Sequence, residues 1–544
     1  MLKMNHSSLK ILIFLYFLLY FDISDSLLAQ NQTINSGSYI VNMGSFPSTV
    51  NNSLKPYGLI YDLLNKKQIP VLWSINPTKL RDSIDFRYNG VDYKGGPFII
   101  EAQYRTPSVD SLVTAWQALG VIVTTTTSSF VAPIYREISY VPNWTLDAQN
   151  GRFAEGFLIA AGFPTSAYNW IAPAALGCCN DVFVMPHADP TWATHGHLLD
   201  WNNAITAGGC LGAIWQGCHA VSVAENLFDA ANTARRLNLL MANPVAPSIQ
   251  SAIPFGSHSD GSPPYNYFYP THPVMQFIGQ LDNATTNGSE QIFIPSVGGW
   301  LPTTQLGVVD LTQANVPSLS PGPATVLAFG QAKGDAKRGK VMYTGGHNIG
   351  RGNDGDNVNA QRTFFNFSFW AAGDKAITVV TVVPSVLKVD SSYSFTATPT
   401  GGTPPYNYTW LSSCGGVFTS TTNATTLFRP TSVYDSCLIS CRVTDACGTR
   451  IGFKTTRVQT ICVPPVDSLV VCQSVACSTN NFYNLNNLKP VGNYPYEWHT
   501  VSSNPSSATR VSNPASATFS DYYLYRVGGS CYSLGKKVSI IPKP

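Results

Sequence analysis

The chain has 544 residues, of which 44% are hydrophobic and 12% are charged. These values exclude a disordered chain and predict several packed domains. The formal net charge is only +3 and no stretch is rich in lysine and arginine, so we expect no nucleic-acid partner.

The first 29 residues have the pattern of a signal peptide. Lys3 and Lys10 supply positive charge, ILIFLYFLLYF at 11–21 is the apolar run, and Ala29 offers a cleavage site. A retained membrane anchor is the alternative, although the apolar run is short for a bilayer span. No later stretch could cross a membrane, so we expect a secreted or cell-surface protein in which disulfides form.

Residues 30–375 alternate short apolar strands with helical stretches. The strands SYIVNMG, IPVLWSI, GPFIIEA and VIVTTTT come first, with the helical stretches YGLIYDLLNKK and VDSLVTAWQALG among them. The strands DVFVMPHAD, LGAIWQGC, TVLAFGQ and GKVMYTGGH follow, with VSVAENLFDAANTARRLNLLM and VNAQRTFFNFSFWAA as helices. This alternation predicts an α/β domain in which a parallel sheet carries helices on both faces.

The pattern changes near residue 376. Residues 376–462 alternate with period two and show no helical pattern, so we predict a β-sandwich there. Residues 463–544 contain the strand-like pieces YPYEWHTV and DYYLYRVGGSCYSLGKKVSII and form a predicted second β-module. Eight of the twelve cysteines lie after residue 400, and small exported β-domains use such cysteines as a disulfide framework.

Candidate functional residues follow three predicted strands of the α/β domain. His187 and Asp189 follow DVFVMP, Cys218 and His219 follow IWQG, and His347 follows KVMYTGG. Ligands of open parallel sheets bind beyond the carboxyl ends of the strands. The sequence therefore predicts a cleft at this edge, lined by all five residues.

Cys218 has the position of a nucleophile on a strand-to-helix elbow. His347 is the candidate base, and the backbone N–H of His219 is a candidate oxyanion donor, with the His219 side chain expected to point elsewhere. Gly217 and Gly346 are further candidates for the cleft around the nucleophile. The alternative interpretation is an inert, buried cysteine.

The remaining cysteines of this domain are predicted to lie at the opposite edge of the sheet. Cys178, Cys179 and Cys210 all precede apolar strands. Eight extended residues span roughly 26 Å, whereas a disulfide needs Cα atoms within about 7 Å. We therefore predict that Cys210 pairs with Cys178 or Cys179 and that Cys218 stays outside the disulfides.

Metal binding is the other chemistry that the histidines could support. His187, Asp189, His195 and His197 are ligand types, but their spacing matches no zinc motif. The glycine-rich run GGHNIGRGNDGDN lacks the EF-hand spacing. We expect hydrogen-bonding cleft residues here, with no metal and no cofactor.

The IWQGCHA elbow, the late YTGGH and the closing helix resemble the class I glutamine amidotransferase-like superfamily, and the Cys–His pair is most similar to its PfpI-type peptidase branch. The resemblance implies a flavodoxin-like fold over residues 38–373, a nucleophile at Cys218 and a catalytic histidine at His347. Family members carry glutamate two residues after that histidine, where this chain has Ile349. The acid of a triad is therefore open between Asp189 and Asp354.

The segment GGTPPYNYTW resembles PKD-like and SprB-type repeats of Bacteroidetes surface proteins. That resemblance implies immunoglobulin-like modules that serve as spacers or adhesive stalks. We hypothesise an exported surface protein that hydrolyses an amide or peptide bond with Cys218. The alternative is a non-catalytic adhesin that holds an extracellular peptide or glycan in the same cleft. The sequence does not specify the oligomeric state.

Overall fold

The structure is a computed structural model that describes residues 29–204, 208–242, 256–259, 261–281, 292–295, 299–313, 324–346, 355–461, 475–478, 482–489, 495–502, 505–528, 531–532 and 535–542. Residues 1–28 of the predicted signal peptide lie outside this set, as do His347, Ile349 and Asp354. The chain divides into two compact units. The first extends to Ala376 and includes Cys447–Arg450, and the second contains Ile377–Ala446 and the chain from Ile451 onward.

A six-stranded antiparallel sheet opens the first unit. Its six strands are β1 (Gln30–Ile34), β2 (Tyr39–Val41), β3 (Val71–Ser74), β6 (Phe98–Ile100), β7 (Val123–Thr125) and β8 (Phe130–Ile138). The strands β4 (Ile84–Tyr88) and β5 (Val91–Lys94) form a separate two-stranded hairpin. The sheet order is β1-β8-β3-β6-β2-β7. Helices α1 (Lys55–Asp62) and α2 (Pro107–Ala118) lie between these strands in the chain.

This antiparallel sheet corrects the prediction of one parallel sheet across residues 30–375. The first four predicted strands all belong to it, and β2 pairs antiparallel with both β6 and β7. The helix α2 connects β6 to β7, yet these two strands flank β2 on opposite sides. The sequence pattern predicts four of the six strands of this sheet and misses β1, β8 and the β4–β5 hairpin. Strand direction also escapes it, because direction depends on which strands pair in space.

The second sheet of this unit contains the predicted parallel strands. Its ten strands are β9 (Trp144–Leu146), β10 (Tyr168–Asn169), β11 (Val182–Met185), β12 (Ala213–Gly217), β15 (Gly256–Ser259), β16 (Asn266–Tyr267), β17 (Ile292–Pro295), β18 (Gln305–Asp310), β19 (Ala324–Gln331) and β20 (Lys340–Thr344). The strands β13 (Phe228–Asp229) and β14 (Asn232–Arg236) form a separate hairpin. The order is β10-β9-β11-β12-β20-β19-β17-β15, with β18 beside β19 and β16 beside β18. Neighbours from β10 to β20 are parallel, and β19 is antiparallel to β20.

Both faces of the parallel strands are buried, which explains their continuous apolar sequences. Val182 and Val184 of β11 belong to one hydrophobic cluster, together with Phe364. Phe183 and Met185 belong to a separate cluster. Helix α7 (Gly355–Ala372) contributes to the first cluster, whereas α5 (Leu198–Trp201) and α6 (Ala220–Asn226) contribute to the second. Helices α3 (Arg152–Ala160) and α4 (Trp192–His195) complete the described α-helices of this unit.

The helix that follows β12 is shorter than its sequence pattern predicts. It ends at Asn226, and Leu227 is extended with φ −73° and ψ 126°. The β13–β14 hairpin then replaces the remainder of the predicted helix. Leu237, Leu239 and Leu240 are nevertheless buried, because an irregular segment delivers them to the same core. The predicted closing helix is confirmed as α7.

The second unit is entirely β apart from short 3-10 turns in its described residues, which confirms the all-β prediction. Its strands are β21 (Thr378–Val382), β22 (Val386–Lys388), β23 (Tyr393–Thr400), β24 (Asn407–Ser412), β25 (Gly416–Phe418), β26 (Thr425–Pro430), β27 (Tyr434–Thr444), β28 (Ile451–Ile461), β29 (Val475–Ser478), β30 (Tyr496–His499), β31 (Asp521–Gly528), β32 (Cys531–Tyr532) and β33 (Lys536–Pro542). The sheets β21-β23-β26-β25 and β22-β28-β27-β24 share one core around Trp410 and Phe395 and form a β-sandwich. Strands β29 to β33 form a separate sheet.

Three disulfides are present among the described cysteines: Cys178–Cys210, Cys179–Cys447 and Cys414–Cys437. The first confirms the predicted partner of Cys210. Such bonds form and persist in oxidising compartments, which is consistent with an extracellular protein. Within the described residues, no helix has the length and apolar character needed to span a membrane.

Candidate active site

Cys218 lies on a tight turn between β12 and α6. Its φ of 53° is in the left-handed region, which costs a non-glycine residue about 1 to 2 kcal/mol. The Cys218 backbone N–H donates to the Thr344 carbonyl of β20 at 3.1 Å, and α6 begins two residues later. A Cβ added to Gly217 would lie 2.6 Å from the Pro186 carbonyl oxygen, so the turn requires glycine there.

Strand register brings His187 beside Cys218. Met185 of β11 is the in-register partner of Gln216 of β12, so His187 and Cys218 both follow two residues beyond this matched pair. Parallel strands end at the same edge of a sheet. His187, which follows β11, and Cys218, which follows β12, therefore lie close together.

The Cys218 sulfur and one ring nitrogen each of His187 and His219 lie within 4.8 Å of one another. The two imidazole rings are nearly perpendicular, with centroids 4.0 Å apart. The His219 side chain was expected to point away from the thiol. It instead lies beside the thiol, with one ring nitrogen within 4.8 Å of the Cys218 sulfur.

Asp189 completes this cluster from the loop after β11. Its Oδ1 lies 3.1 Å from Nε2 of His219, and its side chain is 73% exposed. The hydrogen bond fixes the orientation of the His219 ring. Cys218, His219 and Asp189 therefore have the composition of a nucleophile, base and orienting acid.

Burial controls the charge of His187. Desolvation, followed by the neighbouring His219, lowers the pKa of His187 to about 4, while Asp189 opposes the shift. A neutral imidazole is therefore present at neutral pH. The Cys218 side chain is fully buried, so any reagent reaches the sulfur only after local movement of the surrounding loops.

A second histidine–aspartate pair supports the loop that carries His187 and Asp189. His195 Nε2 lies 2.7 Å from Oδ2 of Asp147, and both side chains are buried. The Thr191 N–H donates to Nδ1 of His195, so the neutral ring carries its proton on Nε2 and donates it to Asp147. His195 is therefore a supporting residue of the site. Asp147 was missed, because nothing in the sequence relates it to a residue 48 positions away.

Helix α6 is anchored by a buried carboxyl group that sequence reasoning also missed. Glu225 accepts hydrogen bonds from the backbone N–H groups of Leu240 and Met241 at 3.1 and 3.2 Å. Burial raises the pKa of Glu225 to about 7, although these hydrogen bonds oppose the shift. The carboxyl group therefore ties the helix behind Cys218 to an irregular segment of the core.

Gly346 is placed on the same edge of the sheet. Gly217 and Thr344 are in-register partners on β12 and β20, and Gly346 follows two residues later with φ 73°. The backbone there requires the left-handed conformation that glycine adopts easily. The role of His347 as base falls on a residue outside the described part of the chain and stays a prediction.

The cluster has donor atoms that could also hold a metal ion. His187, Cys218 and His219 supply two imidazole nitrogens and one sulfur, the ligand set that suits Zn²⁺. The three donor atoms lie within 4.8 Å of one another, close enough together to be considered as ligands of one ion.

Comparison with known proteins identifies no family for this chain. No protein-family model matches, and no curated protein matches. Solved structures that match include the N-terminal eight Ig domains of Down Syndrome Cell Adhesion Molecule, with 9% identity, a TM-score of 0.16 and coverage of 40% of this chain and 28% of that chain.

Two further matches are a bacteriophage and a marsupial protein. The three N-terminal domains of the bacteriophage RB49 Hoc capsid protein have 12% identity and a TM-score of 0.15, covering 46% of this chain and 94% of that one. A marsupial T cell receptor has 10% identity and a TM-score of 0.16, covering 31% and 73%. Similarities this weak carry no argument about fold or function.

Proposed function

We propose that the first unit is a cysteine-dependent hydrolase of amide or peptide bonds, carried by an exported surface protein with β-sandwich modules. The observation that carries the proposal is the left-handed elbow of Cys218 with a His219–Asp189 pair beside the thiol. The parallel strands β9, β10, β11, β12 and β20 support the resemblance to the glutamine amidotransferase-like superfamily in this part of the unit.

In the proposed reaction, Cys218 is the nucleophile, His219 is the base and Asp189 is the acid that orients His219. Cys218 attacks the carbonyl carbon of the substrate while Nδ1 of His219 takes the thiol proton. Asp189 stabilises the imidazolium that forms, and the backbone N–H of His219 donates to the developing oxyanion. His219 then gives the proton to the leaving amine, and the C–N bond breaks to leave a thioester. Water hydrolyses the thioester with His219 again acting as base.

This assignment moves the base from His347 to His219 and chooses Asp189 over Asp354 as the acid. His219 and Asp189 are hydrogen-bonded within the described residues, which is the geometry that an orienting acid requires. The neutral His187 lies against the His219 ring and acts as a positioning residue. His347 remains testable as a competing base.

A non-catalytic adhesin is the second candidate, and one observation favours it. Cys218 is fully buried, whereas reactive cysteines occupy partly exposed positions. In this alternative the cleft holds an extracellular peptide or glycan, and the cysteine only packs beneath it. The two functions differ in whether the thiol becomes covalently modified.

Hydrolysis of a fluorogenic peptide and amide library tests the proposal. We expect Cys218→Ser to abolish turnover and His219→Gln to lower kcat/KM by about 100-fold, within the usual range for general acid–base catalysis. Asp189→Asn should lower it by about 10-fold, since the aspartate is largely exposed. Cys441→Ser is the matched control and should retain full activity.

The same assay separates the candidate functions and bases. A mass increase on Cys218 during turnover, which marks the acyl-enzyme, would exclude the adhesin. Loss of activity in His347→Ala with retention in His219→Gln would reject the base proposed here. Turnover that survives Cys218→Ser would reject the nucleophile.

A further inference from the structure

An open cavity of about 520 Å³ lies beside the proposed catalytic residues. Residues 148–152, Trp170 and Asp189 line it. Its volume is within the range of sites that hold small ligands or one to two amino-acid residues. Asp189 belongs both to this lining and to the hydrogen bond with His219, so the cavity adjoins the candidate active site.

Two hydrogen bonds connect the lining to the residues around Cys218. The Gln149 side-chain oxygen accepts from the Asp189 backbone N–H at 2.7 Å. The Asn150 side-chain nitrogen donates to the His187 carbonyl at 2.7 Å. A ligand in the cavity therefore contacts a loop that is bonded directly to the segment holding His187 and Asp189.

The lining combines a cation with an aromatic face. Arg152 is exposed and forms no ion pair with any described carboxylate. The Asp189 carboxylate is bonded to His219. Trp170 is 46% exposed, and a Cβ on Gly151 would lie 2.7 Å from its ring. Glycine thus lets the indole pack against the loop, which holds its exposed face toward the cavity.

A guanidinium group recognises a carboxylate through two parallel hydrogen bonds. A tryptophan face covers the methylene groups of a neighbouring side chain or peptide. We propose that this cavity binds the acidic side chain of the residue next to the scissile amide, with Arg152 pairing with its carboxylate and Trp170 covering its methylenes. The substrate class is a peptide with glutamate or aspartate at that position. This inference rests on the proposed hydrolase function of Cys218.

A pair of isosteric substrates tests the charge requirement. Fluorogenic peptides that differ only by glutamate or glutamine next to the scissile bond should differ in kcat/KM by about 10- to 100-fold, the range expected for a charge-assisted pair. Arg152→Gln should abolish this preference, so that the two peptides have about the same kcat/KM. Arg87→Gln, which alters another exposed arginine of the first unit, should leave the preference unchanged. Equal turnover of both peptides by the parent protein would overturn the inference.

A binding measurement distinguishes failure of this inference from failure of the proposed function. Calorimetric titration of the Cys218→Ser variant with the same two peptides should give tighter binding of the glutamate peptide, and Arg152→Gln should remove the difference. Trp170→Ala should weaken binding of both peptides by about 10-fold. Selective binding without turnover in the parent protein would reject the hydrolase and retain the acidic-peptide cavity. Turnover with no selectivity for glutamate would reject the cavity and retain the hydrolase.

Discussion

Cys218 and Cys441 are both fully buried, and both stand outside the disulfides among the described cysteines. Cys441 lies within β27, where it pairs with Trp410 and Lys454 on the neighbouring strands. Burial raises the pKa of its thiol to about 12. Cys218 instead occupies a left-handed turn at the end of a parallel strand, beside two imidazole rings.

The comparison shows that burial does not distinguish a structural cysteine from a candidate nucleophile. The surroundings of Cys441 are aliphatic and aromatic side chains of a sandwich core, which favour the neutral thiol. The surroundings of Cys218 include two imidazole rings, one of which is hydrogen-bonded to an aspartate. The difference comes from strand topology, because only the end of a parallel strand places a cysteine at a shared edge with residues from other strands.

Thiol labelling should give the largest difference between the two cysteines. Local movement of the loops exposes the Cys218 sulfur at the sheet edge, whereas Cys441 is held within a strand of the sandwich core. At pH 7, iodoacetamide should therefore alkylate Cys218 about 1000-fold faster than Cys441, since a thiol with a pKa near 12 is also almost wholly protonated. Peptide mass mapping of the folded protein measures both rates in one sample. Denatured protein is the control, and there the two rates should be equal. Similar rates in the folded protein would place Cys218 with the structural cysteines.

Removal of a disulfide should destabilise each of the two regions by a similar amount. Cys178–Cys210 precedes the strands β11 and β12, whereas Cys414–Cys437 lies in the sandwich. Replacing either pair with alanine should lower the free energy of unfolding by about 3 to 4 kcal/mol, because the closed loops span 32 and 23 residues.

The two disulfide variants should differ in their effect on Cys218. Loss of Cys178–Cys210 should change the labelling rate of Cys218, since that bond ties together the two strands that position His187 and the thiol. Loss of Cys414–Cys437 should leave the rate unchanged. Urea unfolding and labelling of the same variants measure both effects, and the reverse pattern would contradict the link between the strands and the site.

Glu225 should make the stability of the first unit depend on pH. Its pKa is raised from 4.5 to about 7, so the folded state retains a proton that the unfolded chain releases. The stabilisation is fully present below about pH 4.5 and is lost as pH rises through 7, by on the order of 2 to 3 kcal/mol. Glu225→Gln should remove this dependence. Urea unfolding at pH 5 and pH 8 tests it, and parallel changes in both proteins would contradict it.

Several features of the site follow from local sequence patterns. Strands β11 and β12 are continuous apolar runs, and each is followed by the histidine or cysteine that reaches the sheet edge. Eight extended residues between Cys210 and Cys218 exclude a bond between them, and the structure confirms the pairing of Cys210 with Cys178. The closing helix α7 is equally clear, because its aromatic residues recur with helical spacing.

Other features depend on contacts between distant residues. The antiparallel sheet β1-β8-β3-β6-β2-β7 contains strands whose sequences resemble those of the parallel ones. The helix after Cys218 ends at Asn226, and Leu237 and Leu240 reach the core from an irregular segment rather than from helical positions. Cys447 was expected among the disulfides of the later modules but bonds to Cys179, 268 residues away.

Sequence and tertiary structure contribute most differently at the candidate site around Cys218. The sequence by itself determined that Cys218 ends an apolar strand and precedes a helix, because both periodicities are local. Only the tertiary structure decided that the His219 ring faces the thiol and bonds to Asp189, and that Asp189 also lines a cavity with Arg152. The physical reason is that ring orientation depends on the left-handed backbone at Cys218 and on the register of β11 with β12. Neither the left-handed backbone nor the strand register produces a periodic pattern in the sequence.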